Sequence, residues 1–138
     1  MQKVSLFLIL SIFLIFSLAP AGGADDPLRE LRQLSNEIYR YSQDMIFHGS
    51  EGHADEIVRY GKKMIERAEK LMKEVDARPP SKTKEGREKM KRTLKNILQK
   101  GHEAVRLAAQ SHTADAVAAA RKASFQAKQL RQQFQTLN

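Results

Sequence analysis

The sequence predicts an all-α protein: an up-down-up-down four-helix bundle that consists of two repeated helical hairpins and is preceded by a signal peptide. Three observations support this prediction. Apolar residues recur every three or four positions along four long segments. Two turn sequences, HGSEGHADE at 48–56 and AAQSHTADA at 108–116, each join two of these segments. The second half of the chain also resembles the first when it is shifted by 59 residues, which predicts two copies of one hairpin that bury their apolar faces against each other.

Residues 1–24 have the pattern of a secretory signal peptide. Lys3 precedes an apolar run at 4–18, and small residues follow it. Cleavage is expected after Ala21 or after Ala24, which leaves residues 25–138 as the bundle. The run is shorter than the roughly 20 residues of a membrane span. We therefore expect a periplasmic or secreted protein, and an uncleaved membrane anchor is the alternative.

Composition narrows the functions that such a chain can have. The 138 residues contain no cysteine, which excludes disulfides, thiolate metal sites and covalent haem attachment. The net charge is +8. In an exported protein this charge points to acidic lipid, an anionic polymer or an acidic partner protein rather than to nucleic acid. Solubility and a solvated surface are the simpler explanation, and we prefer it.

The first hairpin is predicted on either side of the turn at 48–56. The first helix begins near Asp26 and Pro27, which suit an N-terminus. Its predicted inner face consists of Leu28, Leu31, Leu34, Ile38, Tyr41, Met45 and His48. Gly49 and Gly52 end it. The inner face of the second helix consists of Ile57, Gly61, Met64, Ala68, Leu71 and Val75.

The second hairpin follows the break at Pro79 and Pro80. Its first helix starts with a strongly basic stretch, and its inner face consists of Met90, Leu94, Ile97, Gly101, Ala104 and Ala108. A basic amphipathic helix can contact an anionic membrane, but the small residues of this face, Gly101, Ala104 and Ala108, favour packing against other helices. The last helix is rich in alanine, and its inner face consists of Val117, Ala120, Ser124, Ala127, Leu130, Phe134 and Leu137.

The bundle topology predicts a metal site. The first and third connections lie at the same end, so His48, His53 and His112 are expected to converge there, and imidazole is a common ligand of zinc, copper and nickel. Four carboxylates are expected to assist: Glu51, Asp55, Glu56 and Asp115. Structural explanations remain open: a helix-end role for His48, turn or capping chemistry for His53 and His112, and packing for His102.

The segment HGSEGHADEIVRYGKKMIERAEKLM at 48–72 and its echo SHTADAVAAARKASFQAKQL at 111–130 resemble the small metal-binding protein family. That family consists of exported, histidine-rich four-helix bundles that bind divalent metals, copper among them. The resemblance implies the same fold, export and metal binding here. The chain departs from the family in having only four histidines, with Arg59, Tyr60 and Arg67 at positions where the family carries histidine. It resembles a histidine-poor relative with one site at the turn.

Length and the last hairpin also resemble soluble b-type cytochromes, which bind haem through a methionine near the start of the first helix and a histidine near the end of the last. Here the first helix starts DDPLRELRQL and the last ends RQQFQTLN, so no haem is predicted. No enzyme is predicted either, because the chain lacks the paired E-x-x-H motifs of di-iron bundles and a glycine-rich phosphate loop.

The sequence therefore predicts a non-enzymatic exported bundle that binds a divalent transition metal, copper, zinc or nickel, through His48, His53 and His112. The alternative is an interaction module without metal, whose basic helix faces contact an anionic protein, polymer or lipid surface.

Overall fold

The computed structural model of the chain describes residues 26–137. Over this range it consists of four helices, and none of the described residues is in a β-strand: α1 Pro27–Ser50, α2 Ala54–Ala77, α3 Lys84–Ala109 and α4 Thr113–Gln135. The predicted all-helical class and the number of helices are confirmed. The predicted signal peptide, residues 1–24, lies outside the described residues.

Helices that follow one another along the chain pack side by side, and α1 closes the arrangement against α4. The diagonal pair α2 and α4 barely touches. Short connections of this kind reverse the chain at each step, so neighbouring helices are antiparallel. The two hairpin turns consequently lie at one end of the bundle, where a Cβ atom added to Gly49 would meet Val117 Cγ2 at 2.5 Å. A larger residue at position 49 would have to displace the side chains of Val117 on α4 and Ile57 on α2.

The inner faces predicted from the sequence form one continuous core. The largest fully buried side chains come from all four helices: Leu31, Ile38, Met45, Ile57, Met64, Leu71, Leu94, Ile97, Leu130 and Phe134. Helix α4 buries mostly alanine, including Ala116, Ala120, Ala123 and Ala127, so it approaches its neighbours closely. Because burial of apolar area is the main favourable contribution to folding, this core accounts for a stable domain without disulfides.

The two hairpins are structurally equivalent at the spacing of 59 residues. The turns show this most clearly, since the N–H of His53 donates to the carbonyl of His48 at 3.0 Å and the N–H of His112 donates to the carbonyl of Leu107 at 2.9 Å. The residue before each histidine has a positive φ, 85° at Gly52 and 64° at Ser111. The predicted repeat therefore extends to the backbone of the turns.

Ser111 carries a conformational cost that Gly52 does not, because a Cβ atom disfavours the left-handed region by about 1 kcal/mol. We expect Ser111→Gly to raise the free energy of unfolding by about this amount, and to raise Tm by roughly 4 °C. Gly52→Ala, the matched substitution at the equivalent position, should lower stability to a similar extent. Urea and thermal unfolding measure both changes, and a destabilised Ser111→Gly variant would contradict the equivalence of the turns.

Ion pairs connect the helices at the opposite end of the bundle. Glu30 on α1 accepts hydrogen bonds from Lys70 Nζ on α2 and from Arg78 Nη2 just after it, both at 3.0 Å. These hydrogen bonds, with Lys70 the larger cause, lower the pKa of the Glu30 carboxyl below its ordinary value of 4.5. Arg32 Nη2 donates to the carbonyl oxygen of Leu137 at 2.6 Å, which ties the end of the chain to α1.

Because the pKa of Glu30 is lower in the folded than in the unfolded state, its contribution to stability is present above pH 4.5 and is lost as pH falls through the lowered value. Glu30→Gln should therefore make the unfolding free energy less dependent on pH below about 4.5. The effect should be small, since the groups are exposed and solvent screens them. Urea unfolding at a series of pH values tests this prediction. The same pH dependence of the unfolding free energy in the wild type and the variant below about pH 4.5 would contradict it.

Candidate metal centre

The turn between α1 and α2 places three potential ligands close to one another. α1 ends at Ser50 and α2 begins at Ala54, so only three residues join them. The carbonyl of His48 accepts hydrogen bonds from the N–H groups of Glu51, at 3.1 Å, and His53, at 3.0 Å. The positive φ of Gly52 allows this tight reversal. The side chains of His48, Glu51 and His53 are brought together as a result.

These three residues form the one group of at least three histidine or acidic side chains in residues 26–137 with potential ligand atoms mutually within 4.8 Å. Glu51 Oε2 lies 3.8 Å from His48 Nδ1 and 3.6 Å from His53 Nδ1. Ligands about 2.1 Å from a tetrahedral zinc ion are about 3.4 Å from one another. The two Glu51 distances therefore differ from those of a metal shell by a few tenths of an ångström.

The three side chains are partly exposed, so small rotations can bring their ligand atoms to the distances of a metal shell. The His48 side chain is 27% exposed, and the side chains of Glu51 and His53 are about half exposed. Glu51 and His53 are the more exposed of the three, whereas aromatic rings hold the imidazole of His48. Its imidazole stacks on the Tyr60 ring of α2 at 5.4 Å between centroids, with an interplanar angle of 7°, and meets the edge of Phe47 at 5.2 Å.

The stacked tyrosine also belongs to a cationic seam between α1 and α2, defined here as Arg40, Tyr41, Arg59, Tyr60 and Lys63. Arg59 lies 4.7 Å from the centre of the Tyr60 ring, and Lys63 lies 5.6 Å from it. Contacts of this type stabilise exposed rings by up to about 1 kcal/mol each. The seam thus fixes Tyr60, and through it the plane of the His48 imidazole.

The carboxylates predicted to assist are separated by the structure. Glu51 lies between the two imidazoles, whereas Glu56 pairs with Arg59 at 2.5 Å and points to a different partner. Asp55 and Asp115 lie exposed in the first turns of α2 and α4, where negative charge suits the helix dipole. Neither belongs to the group of three.

His112 lies at the N-cap of α4, in the turn next to the cluster, but it is not a member of the group. The repeat explains its position. His112 is the counterpart of His53, while Leu107 and Gln110 occupy the places of His48 and Glu51. One potential ligand out of three is thus present in the second turn. The part of His112 as a ligand stays a prediction.

Capping does not account for the two turn histidines. His53 and His112 are the N-cap residues of α2 and α4, yet neither imidazole makes a capping hydrogen bond. By contrast, Asp26 and Thr83 cap α1 and α3 through side-chain oxygens, which accept from Leu28 N at 3.0 Å and Gly86 N at 3.1 Å. His102 is exposed on α3 and lies outside the group of three.

Two features of this centre do not follow from the sequence prediction. Glu51 is predicted only as one of four assisting carboxylates, although its position two residues before His53 already places it inside the turn. Tyr60 is predicted only as a departure from a histidine-rich pattern. Tyr60 and His48 are twelve residues apart, and their stacking depends on the packing of α1 against α2, which no local pattern shows.

Comparisons with protein-family models, with curated proteins and with solved structures returned no match. The resemblances noted from the sequence remain predictions. Within residues 26–137, no helix combines the length and the apolar character that are needed to cross a membrane.

Proposed function

We propose that this protein is a non-enzymatic metal-binding bundle, which holds one divalent transition metal ion at the turn between α1 and α2. The observation that carries the proposal is the proximity of His48, Glu51 and His53, with both imidazole Nδ1 atoms within 3.8 Å of one carboxylate oxygen. The leader sequence predicted at 1–24 would place this activity in the periplasm or outside the cell.

Two imidazoles and one carboxylate are a donor set that suits zinc, copper and nickel and disfavours calcium and magnesium, which prefer oxygen ligands. Three protein ligands leave at least one coordination position for water or an external ligand. The centre is at the surface and its ligands need only small rotations. These properties fit reversible binding and release of a metal rather than a permanent structural site.

Calorimetric titration of the wild type and of a variant with alanine at 48, 53 and 112 tests the proposal. The wild type should bind about one equivalent of copper or zinc near neutral pH, and the triple variant should not. His102→Ala is the matched control, since it also removes an imidazole but lies outside the cluster. Equal binding by the wild type and the triple variant would refute the proposal.

Dependence on pH and salt separates metal coordination from binding of an anionic partner through the basic surface. Protons and metal compete for the same imidazole nitrogens, so coordination should weaken as pH falls from about 7 to about 5. Charge-based binding should instead weaken as ionic strength rises.

A further inference from the structure

A groove between α3 and α4 has no part in the candidate metal centre. Its volume is about 430 Å³, within the range of small-ligand sites. Three amides, three cations and one phenyl ring line it, and no carboxylate does. From α3 come Asn96, Gln99 and Lys100, and from α4 come Arg121, Lys122, Phe125 and Gln126.

The phenyl ring of Phe125 is exposed to an unusual degree for its type. It is 60% exposed, and among the large apolar side chains of residues 26–137 it shares strong exposure with Phe47 alone. The rest of its helix buries alanine, leucine and phenylalanine in the core. Phe125 therefore offers the groove a flat apolar surface onto which a ligand can pack.

The cations of the groove are only partly neutralised. Lys100 Nζ lies 2.5 Å from Glu103, and this hydrogen bond, with smaller contributions from the charges of Lys122 and Arg106, lowers the pKa of the Glu103 carboxyl. Within the described part of the chain, no carboxylate lies within ion-pair distance of Arg121 or Lys122. Two positive charges thus remain available beside Phe125.

We propose that this groove binds an acidic oligosaccharide. One face of a sugar ring packs on Phe125, carboxylate or sulfate groups pair with Arg121 and Lys122, and ring hydroxyls exchange hydrogen bonds with the amides. The amides suit this role because each offers both donors and an acceptor, as hydroxyl groups do.

The same chemistry disfavours a nucleic acid strand. Proteins that bind single strands stack successive bases on several aromatic side chains. This groove contains one aromatic ring, and three of its seven lining residues are neutral amides. Export, which is predicted from residues 1–24, is also consistent with an extracellular glycan as the ligand.

The test is titration of the whole protein with three defined probes of similar length: a galacturonate oligosaccharide, a sulfated heparin oligosaccharide and an uncharged maltooligosaccharide. Saturable binding is expected for one or both acidic chains and not for the neutral chain. Phe125→Ala should weaken binding about tenfold, the scale of one lost stacking contact. The double variant Arg121→Gln/Lys122→Gln should weaken it by a similar factor.

Matched variants elsewhere on the surface control for each change. Phe47→Ala removes the other exposed phenyl ring, and Lys82→Gln/Lys84→Gln removes two exposed charges outside the groove. Both should bind the acidic chain within twofold of the wild type. Equal losses in groove and control variants would overturn the proposal in favour of diffuse charge attraction. Tighter binding of a single-stranded DNA of equal charge, or no saturable binding below millimolar concentration, would also overturn it.

The outcome is independent of the metal centre. His48→Ala/His53→Ala leaves the groove intact, so this variant should bind the acidic oligosaccharide as the wild type does. Loss of metal binding with retained glycan binding would show two separate sites.

Discussion

His53→Ala is expected to lower the affinity of this protein for copper or zinc by about 100-fold or more. Loss of a group that merely orients a metal ligand already weakens binding by about 10- to 100-fold, and His53 is placed to bind the ion itself. His48→Ala should have an effect of at least this size, because His48 is the proposed ligand whose ring stacks on Tyr60. Calorimetric titration measures both.

Two further measurements make this result specific. His53 is about half exposed and its side chain makes no capping hydrogen bond, so His53→Ala should unfold at the same urea concentration as the wild type. His112→Ala tests whether the second turn contributes a ligand. An affinity within threefold of the wild type would limit the shell to the first turn, and a loss as large as that of His53→Ala would add His112 to it. Unchanged affinity in His53→Ala itself would contradict the proposed site.

The second large effect is a gain of function. The two turns have the same backbone conformation, so the set His48, Glu51 and His53 can be copied into the second turn. His112 already occupies the position equivalent to His53. Leu107→His with Gln110→Glu supplies the two missing ligands. We expect the number of bound zinc ions to rise from about one to about two, with affinities within roughly tenfold of each other.

One neighbour has to be removed in the same variant. Arg106 Nη1 donates to Gln110 Oε1 at 3.1 Å and would pair with the introduced carboxylate, so Arg106→Gln is included. The variant with Arg106→Gln and Gln110→Glu but without the new histidine is the control and should bind one ion. A full variant that folds normally and still binds one equivalent would show that the turn geometry is not sufficient for a site.

Much of the fold could be predicted because the apolar periodicity and the helix-breaking residues indicate the same helix boundaries. The predicted inner faces of α2 and α3 are buried throughout, and Pro79 and Pro80 lie in the connection between those helices. The repeat of 59 residues then restricts the topology to two equivalent hairpins. The positive φ of Ser111 could not be predicted from the sequence, because serine, unlike glycine, does not indicate a left-handed backbone conformation.

The candidate site was predicted only in part. The topology correctly places the two turns at one end, but it does not determine which potential ligand atoms come close to one another. That depends on the side of each turn from which a residue projects and on its neighbours. The potential ligand atoms of His48, Glu51 and His53 lie within 4.8 Å of one another, whereas Leu107 and Gln110 take the places of His48 and Glu51 in the turn of His112. The groove at Phe125 was missed because it depends on how α3 and α4 pack together.

The decisive experiment for the proposed metal site is the nitrogen NMR spectrum of the imidazoles during titration with zinc. It observes all four histidines in one experiment. We expect the resonances of the ring nitrogens of His48 and His53 to shift together and saturate near one equivalent of zinc, while those of His102 stay unchanged. Resonances of His48 and His53 that do not respond to zinc, or that respond no more than those of His102, would contradict it.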